Sequence, residues 1–198
     1  MKNNTLDFYN NNSKEYYETT VKVDISNIYS KFIDKLPKEA HILDLGCGSG
    51  RDSLEFIKQG YNITAVDGSK ELSIAASKLI EQEVICSKFE ELQLTEKFHG
   101  IWACASLLHI NKRDLIQVIK NISSNLEHNG VFYMSFKYGE NEYIDEKGRY
   151  FNCYTEKTFS ELINKINSLK VEKIYRTIDI LPGRGDVIWL NIFCIKVD

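Results

Sequence analysis

The chain has 198 residues, of which 43% are hydrophobic, and a formal net charge of −3 at pH 7. That length is enough for one domain with a substantial core. No apolar run in the sequence approaches the length of a membrane-spanning helix, so we expect no membrane partner. The slightly acidic balance gives no general attraction to phosphate backbones, which argues against a nucleic-acid partner.

The first residues and the cysteines indicate in which cellular compartment we expect the protein. No apolar signal-peptide segment follows Met1, and we therefore expect a cytoplasmic protein. The number of cysteines is odd and no pair has metal-ligand spacing, so we expect reduced thiols and no metal. The cysteines lie at positions 47, 86, 104, 153 and 194.

Residues 1–36 are polar and rich in tyrosine, and their pattern becomes helical from about Asp24 to Leu36. After them, apolar runs alternate with amphipathic stretches. The runs predict strands over 41–45, 62–66, 84–86, 99–104 and 130–136, and the stretches predict helices near 51–59, 70–80 and 111–127. Such alternation predicts a parallel sheet with right-handed crossovers and helices on both faces.

The last part of the chain has a different order of elements. A helix predicted near 155–167 precedes two strands, about 170–177 and 186–196. The link between these strands, Leu181-Pro-Gly-Arg-Gly185, is too short for a helical crossover. The two strands must therefore be antiparallel.

The most informative segment runs from Ile42 to Gly50 and reads Ile-Leu-Asp-Leu-Gly-Cys-Gly-Ser-Gly. A short apolar strand leads into a glycine-dense turn and then a helical stretch, so backbone N–H groups and the helix dipole can approach a ligand. Asp67 ends the next apolar run, the position from which an acid reaches ribose hydroxyls in nucleotide-binding βαβ units. Together these residues predict nucleoside binding. For the glycine turn alone, a tight connection without a ligand is the alternative.

Two details favour S-adenosylmethionine over NAD. The dinucleotide fingerprint requires a third glycine where this chain has Arg51. Asp44 stands two residues before the first glycine, where a carboxylate repels a pyrophosphate and attracts the amine of a nucleoside that carries an amino acid. An NAD-dependent oxidoreductase is therefore disfavoured.

This segment resembles motif I of the class I S-adenosylmethionine-dependent methyltransferases, and Val66-Asp67-Gly68-Ser69 resembles their motif II. The resemblance covers essentially the whole chain and is to the small-molecule branch, which includes the type 11, 12 and 25 methyltransferases and the tellurite-resistance-like ones. It implies an α/β fold, a three-layer α/β/α Rossmann-like sandwich. The sheet would be seven-stranded and mostly parallel, in the order 3-2-1-4-5-7-6, with an antiparallel last strand.

The resemblance also implies an activity and a domain plan. Residues 1–198 would form one class I methyltransferase domain, with residues 1–36 a helical lid over the cofactor site. A methyl group of S-adenosyl-L-methionine would pass to a small-molecule acceptor by direct in-line displacement, leaving S-adenosyl-L-homocysteine. Methylation of RNA or protein, and a non-catalytic S-adenosylmethionine-binding protein, are the alternatives. The chain would be a monomer or a homodimer.

The family's pattern assigns parts of the cofactor to parts of the chain. The glycine loop would meet its methionine end, Asp67 its ribose, and the segment after the third strand its adenine. That segment departs from the family in having Ser87 or Lys88 where an Asp is common, and Phe89 either stacks on the ring or fills the core. The residues so assigned are Tyr9, Tyr16, Asp44, Gly46, Cys47, Gly48, Gly50, Arg51, Asp67, Gly68, Ser69, Lys88, Phe89, Ala103 and Ser106.

The segment Ile101–His109 follows the fourth predicted strand and resembles the family's motif IV. Ligands of open α/β sheets bind at the carboxyl ends of strands, so the Ala103 carbonyl is expected at the cofactor amine, with Ser106 and His109 facing the substrate. His109 is the best candidate for a general base. A structural histidine that closes the pocket is the alternative.

The amino-terminal segment Phe8–Thr20 resembles the Tyr-x-x-x-Ala-x-x-Tyr-x-x-x-Thr segment of many small-molecule methyltransferases, with Ser13 at the alanine position. In that family the segment folds over the cofactor, so Tyr9 and Tyr16 would exclude water. A solvated, frayed helix is the alternative.

Directional donors cluster in the polar loop after the fifth predicted strand and in the last turn. Arginine suits a carboxylate or a phosphate on a substrate, and an ordinary charged surface loop is the alternative. The residues expected to bind the substrate are His109, Lys137, Arg149, Tyr150, Asn152 and Arg184.

Overall fold

The computed structural model describes residues 4–197. Residues 1–3 and 198, the ends of the predicted domain and the start of its predicted lid, lie outside the described residues. The strands in that range are β1 (His41–Leu45), β2 (Asn62–Asp67), β3 (Val84–Cys86), β4 (Phe98–Ala103), β5 (Leu126–Lys137), β6 (Glu142–Ile144), β7 (Tyr150–Asn152), β8 (Leu169–Ile178) and β9 (Ile188–Lys196).

Seven of these strands form one sheet in the order β3-β2-β1-β4-β5-β9-β8. β1 pairs in parallel with β2 and β4, whereas β9 lies antiparallel between β5 and β8. The predicted order is confirmed, because β8 and β9 are the sixth and seventh strands of the prediction. The short connection between them excludes a crossover, and its ends meet where the Asp179 N–H donates to the Val187 carbonyl at 2.8 Å.

Helices cover both faces of the sheet. Ile119 and Phe159 are fully buried on one face, and Phe32, Phe56 and Trp102 are fully buried on the other. The three-layer α/β/α arrangement is therefore confirmed. The helices of the described range are α1 (Thr5–Asn11), α2 (Ser13–Thr20), α3 (Ser26–Ile33), α4 (Arg51–Lys58), α5 (Lys70–Ile80), α6 (Lys112–Ser124) and α7 (Glu156–Ile163), and a 3₁₀ turn lies at Leu107–His109.

Capping side chains fix where two of the helices begin. The Ser69 hydroxyl accepts the Leu72 N–H at 3.3 Å at the start of α5. Thr155 and Thr158 exchange side-chain and backbone hydrogen bonds at the start of α7. Both arrangements satisfy N–H groups that the first helical turn leaves without partners. Within residues 4–197, no helix is long and apolar enough to cross a bilayer.

Two segments differ from the prediction. The helix predicted to end at 127 ends at Ser124, because β5 already begins at Leu126, opposite Phe98 of β4. Asn129 adopts a φ of +61° within β5, where the β4–β5 pairing shifts register. The polar loop after β5 contains the β6–β7 hairpin, which the sequence analysis did not predict.

Candidate functional site

The glycine loop between β1 and α4 lies against side chains from distant parts of the chain. Gly46 has a φ of +84° and Gly48 a φ of +55°, values that favour glycine. A Cβ on Gly46 would lie 2.3 Å from the Cβ of Ser106, and a Cβ on Gly48 would lie 3.1 Å from the ring of Tyr16. Both positions therefore lack space for a side chain.

Asp67 lies at the carboxyl end of β2 and reaches the same loop. Its Oδ2 accepts the Gly48 N–H and its Oδ1 accepts the Ser69 N–H, both at 2.8 Å. Burial raises the pKa of this carboxyl, and the two N–H groups oppose that rise. A carboxylate has about four acceptor positions, so both oxygens can still accept hydrogen bonds from a ligand.

Two cavities meet at the loop. They share Tyr9, Tyr16, Gly46, Ala105 and His109. The smaller has a volume of about 340 Å³, and its walls include Gly48, Asp67, Gly68, Lys88, Phe89 and Ser106. The larger has a volume of about 620 Å³, and its walls include Cys47, Arg51, Lys137, Arg149, Phe151 and Arg184. The site can thus hold one ligand beside Asp67 and a second one beyond His109.

The Ser106 hydroxyl lacks, among the described residues, a hydrogen-bond partner that a ligand could supply. This hydroxyl is buried, although Ser106 lines the smaller cavity. A buried hydroxyl without a partner costs free energy. With Asp67 at the same cavity and glycines where a Cβ would intrude, the residues fit a polar nucleoside such as S-adenosylmethionine.

His109 lies at the junction of the two cavities and is held from both sides. Its Nδ1 is 2.7 Å from the Tyr150 carbonyl oxygen, and its Nε2 is 2.9 Å from the Tyr9 hydroxyl. Because a carbonyl oxygen only accepts, Nδ1 carries the proton, and the Tyr9 hydroxyl donates to Nε2. Burial lowers the pKa of His109 to about 4 and raises that of Tyr9 to about 12, so both are neutral near pH 7.

The amino-terminal helices are attached to the site at several points. Asn10 accepts a hydrogen bond from the Ser69 hydroxyl at 2.8 Å, and Thr5 accepts the Tyr150 N–H at 2.9 Å. The rings of Tyr9 and Tyr16 meet edge to face, 5.1 Å apart, and burial raises the pKa of Tyr16. Both predicted tyrosines therefore lie where the two cavities meet.

Asp44 lies behind the glycine loop. The residue is 1% exposed, and its Oδ2 accepts the Ser53 hydroxyl of α4 at 2.6 Å. Burial and the neighbouring Asp52 raise its pKa. This side chain turns toward α4 and lines neither cavity, and its contact with a ligand amine stays a prediction.

The sequence analysis missed Asp52, which is buried and lines the larger cavity. Its carboxylate accepts the Tyr29 hydroxyl at 2.6 Å and the Trp102 indole N–H at 2.7 Å. Arg51 lies 2.5 Å away and pairs with it. An acid next to an arginine in the first turn of a helix was the only local signal, since the partners Tyr29 and Trp102 come from α3 and β4.

Some of the remaining predicted cofactor residues line a cavity and others do not. Lys88 and Phe89 line the smaller cavity, and Cys47 and Arg51 line the larger one. Gly50, Ser69 and Ala103 line neither and support the loop and the strand ends instead. A Cβ on Gly50 would lie 3.0 Å from that of Ala76, so this glycine allows α4 to pack on α5. The Ala103 side chain is fully buried.

The predicted substrate residues also divide. Lys137, Arg149 and Arg184 line the larger cavity. Tyr150 and Asn152 line neither cavity, and their substrate contacts stay predictions. Tyr150 directs its hydroxyl to Glu142 and its carbonyl to His109. Asn152 is fully buried and donates to the Ile110 carbonyl at 3.2 Å. The hairpin places both side chains on the core side.

Residues 4–197 contain no group of three or more His, Cys, Asp or Glu side chains that could hold a metal ion. All five cysteines are unpaired.

Comparisons with known proteins agree with this geometry. Residues 42–130 match the family model described as a methyltransferase domain. A putative methyltransferase, YqeM, from Bacillus subtilis (strain 168) is 30% identical over 124 residues, covering 57% of this chain and 50% of that protein. A ubiquinone biosynthesis O-methyltransferase from Rickettsia akari is 28% identical over 113 residues, covering 54% of this chain and 42% of that protein. The chain spans about half the length of these curated relatives.

Solved structures share the fold over nearly the whole chain. The 1,6-didemethyltoxoflavin-N1-methyltransferase of Burkholderia thailandensis, with bound 1,6-didemethyltoxoflavin and S-adenosylhomocysteine, has a TM-score of 0.75 and 22% identity. That match covers 97% of this chain and 85% of that one. A TehB-like S-adenosylmethionine-dependent methyltransferase from Corynebacterium glutamicum has a TM-score of 0.70 and 20% identity, covering 94% and 99%. At these identities the similarity shows the fold.

Proposed function

We propose that this chain, which carries a methyltransferase domain over residues 42–130, transfers a methyl group from S-adenosylmethionine to a small-molecule acceptor. The observation that carries the proposal is the pair of cavities that meet at His109. One of them offers Asp67 and the unpartnered Ser106 hydroxyl to a nucleoside. The other leaves room for an acceptor beside it.

In this proposal Asp67 accepts the ribose hydroxyls, the glycine loop lies along the methionine end, and Phe89 contacts the adenine. When bound, the cofactor supplies a methyl group that is already activated by the sulfonium. The protein then has to position the acceptor in line, and correct placement can lower a barrier by about 7–11 kcal/mol.

Tyr9 and Tyr16 exclude water from this junction in the proposal, and residues 1–36 act as its lid within a single domain of residues 1–198. The hydrogen bonds from Ser69 to Asn10 and from Tyr150 to Thr5 support that role. A closed, dry site strengthens the electrostatic interactions inside it.

His109 is the proton acceptor at the junction. Its Nε2 carries the lone pair and is contacted by the Tyr9 hydroxyl, so a proton lost by the acceptor reaches His109 through Tyr9. A pKa of about 4 makes His109 a weak base. The site therefore suits acceptors that need little activation, such as an amine or an acidic hydroxyl.

Binding of S-adenosylmethionine measured by isothermal titration calorimetry tests the proposal. Asp67→Asn should weaken binding at least about ten-fold, because each charge-assisted hydrogen bond contributes about 1.5–3 kcal/mol. Asp34→Asn, which changes an exposed acid at the end of α3, should leave the affinity unchanged. Circular dichroism checks that both variants fold.

Failure of the folded wild-type protein to bind the cofactor at high micromolar concentration would sink the proposal. A coupled assay for S-adenosylhomocysteine, run over a metabolite collection, separates an enzyme from a protein that only binds the cofactor. Production of S-adenosylhomocysteine with transfer RNA instead would favour the alternative of RNA methylation.

Two further properties belong to the proposal. The five unpaired cysteines support a reducing compartment and hence a cytoplasmic protein. The chain is proposed to act as a monomer or a homodimer, which light scattering after size-exclusion chromatography resolves.

A further inference from the structure

We propose that the acceptor has an apolar body and an anionic group, and that Lys137 binds that group in the larger cavity. This inference rests on the proposed function and names the class of its acceptor.

Lys137 is the last residue of β5 and faces the larger cavity. Tyr133, Ser135 and Lys137 alternate along the strand, and all three line this cavity. The ammonium lies 3.5 Å from the centre of the Phe151 ring and donates to the Tyr143 hydroxyl at 2.9 Å. Trp189 pairs with Lys137 across β9 and lines the same cavity. A cation thus stands at the edge of an aromatic wall.

The three arginines of this cavity have carboxylate partners, and its other lysine, Lys147, lies over the Phe8 ring of the amino-terminal helix α1, 5.6 Å from its centre. Arg149 donates twice to one oxygen of Asp145, at 2.9 and 2.7 Å. Arg51 pairs with Asp52 at 2.5 Å, and Arg184 lies 3.6 Å from Asp179.

Lys137, by contrast, forms no ion pair with any carboxylate in residues 4–197. Burial lowers its pKa, and the charges of Arg149 and Arg184 lower it further. A partly buried cation is stabilised by an opposite charge nearby. A bound anion would supply that charge to Lys137.

The acids of the cavity do not supply that charge. Asp179 accepts the Trp189 indole N–H at 3.1 Å, and Asp52 is engaged by Arg51, Tyr29 and Trp102. Glu15 and Asp24 lie in the amino-terminal part of the chain, in α2 and just before α3.

Apolar side chains line the remainder of the wall beside Lys137. Phe151, Trp189, Leu181 and Pro182 lie there. Ile178 and Ile180, also in this wall, are 62% and 56% exposed, which is unusual for side chains of this kind. Covering them with an apolar ligand removes their surface from water. A wholly polar acceptor would not gain this apolar burial, and a cationic one would be repelled by Lys137.

Lys137 is assigned to the acceptor and not to the cofactor because of its place. It lines only the larger cavity, whereas Asp67 and Ser106 line only the smaller one. The carboxylate of the cofactor's own amino acid is the competing anion, and the experiment has to separate the two.

The test uses two probes with the same apolar body, 2-naphthoate and 2-naphthamide, titrated by calorimetry into protein saturated with S-adenosylhomocysteine. Wild type should bind the naphthoate at least about ten-fold more tightly than the amide, as expected for a charge-assisted contact. Lys137→Gln should reduce that ratio to about one, since only the charge is lost.

The matched control is Lys112→Gln. Lys112 also packs over an aromatic ring, that of Tyr154 at 5.3 Å, and its ammonium donates to the Glu140 carbonyl, but it lines neither cavity. This variant should keep the wild-type ratio. S-adenosylhomocysteine should bind Lys137→Gln as tightly as it binds wild type.

Three outcomes overturn the inference: equal or absent binding of the two probes by wild type, a ratio that survives Lys137→Gln, or a loss of S-adenosylhomocysteine affinity in that variant. The third outcome would mean that Lys137 binds the carboxylate of the cofactor. Binding of S-adenosylhomocysteine is measured first, and its absence in wild type would overturn the proposed function. The ratio of the two probes would still report on Lys137 in that case.

Discussion

The bond between Tyr9 and His109 joins the start of the chain to the centre of the sheet. The Tyr150 carbonyl fixes the proton on Nδ1, which leaves Nε2 as an acceptor for the Tyr9 hydroxyl. Protonation of Nε2 would reverse this bond, with Nε2–H donating to the Tyr9 oxygen, and would place a charge in a largely buried site. The imidazole therefore stays neutral in the folded protein well below its ordinary pKa.

This shift predicts a pH dependence of stability. The folded pKa of about 4 lies below the unfolded value of about 6.5, so the unfolded chain binds more protons between these two values. The stabilising contribution is present above pH 6.5 and is lost as the pH falls toward 4, by up to about 3 kcal/mol. Urea unfolding of wild type at pH 7 and pH 4.5 measures the loss.

His109→Gln removes the group, so its free energy of unfolding should fall less over the same pH range. Equal pH dependence of wild type and His109→Gln would contradict the assigned burial of the ring.

Residues whose position depends on their own strand end could be placed from the sequence. Asp67, Gly46 and His109 belong to this group, since the carboxyl ends of parallel strands meet at one edge. Asp44 and Asn152 could not be placed in this way. Packing against α4 sets the direction of the Asp44 side chain, and the β6–β7 hairpin sets that of Asn152. The residues next to them in the sequence do not reveal either contact.

At the scale of elements, the loop between β1 and α4 has no spare space. Gly46→Ala would introduce a Cβ 2.3 Å from Ser106, at a φ of +84°. We expect S-adenosylmethionine binding at least about ten-fold weaker, because the loop or Ser106 must move from the cavity wall. Calorimetry measures this change.

Gly60→Ala is the matched control. Gly60 has nearly the same φ, +87°, but a Cβ added there would have no other atom within 4 Å. This variant should lose about 1–2 kcal/mol of stability from the backbone alone and keep its affinity for the cofactor. If both variants lose affinity equally, backbone strain and not the contact with Ser106 is responsible.

The parallel core was predictable because each strand is an apolar run of its own between helical stretches. The start of β5 was not, since Leu126–Gly130 reads as the end of a helix until Leu126 pairs with Phe98 of β4. The β6–β7 hairpin is polar and short, and it is held by pairing and by contacts such as that between Thr5 and Tyr150. Contacts between distant segments produce no periodic pattern of hydrophobic residues within the segment itself.

Across the whole molecule, three separate segments converge on one edge of the sheet. The helices α1 and α2, the glycine loop and the β6–β7 hairpin all reach the junction at His109. Hydrogen bonds tie α1 to the start of α5, from Ser69 to Asn10, and to the hairpin, from Tyr150 to Thr5. A ligand bound at this junction should therefore stabilise segments that are far apart in the chain.

That coupling predicts both a melting shift and a pattern of protection. S-adenosylhomocysteine at one hundred times its Kd stabilises the fold by about 2.7 kcal/mol, which for a chain of this length raises Tm by about 5–11 °C. Hydrogen exchange should slow in α1 and α2 as well as in the glycine loop. The control is α7, which packs in the core and lines neither cavity, so that only the global change should register there. Protection confined to the loop and Asp67 would contradict a lid made by the amino-terminal helices while leaving the cofactor site intact.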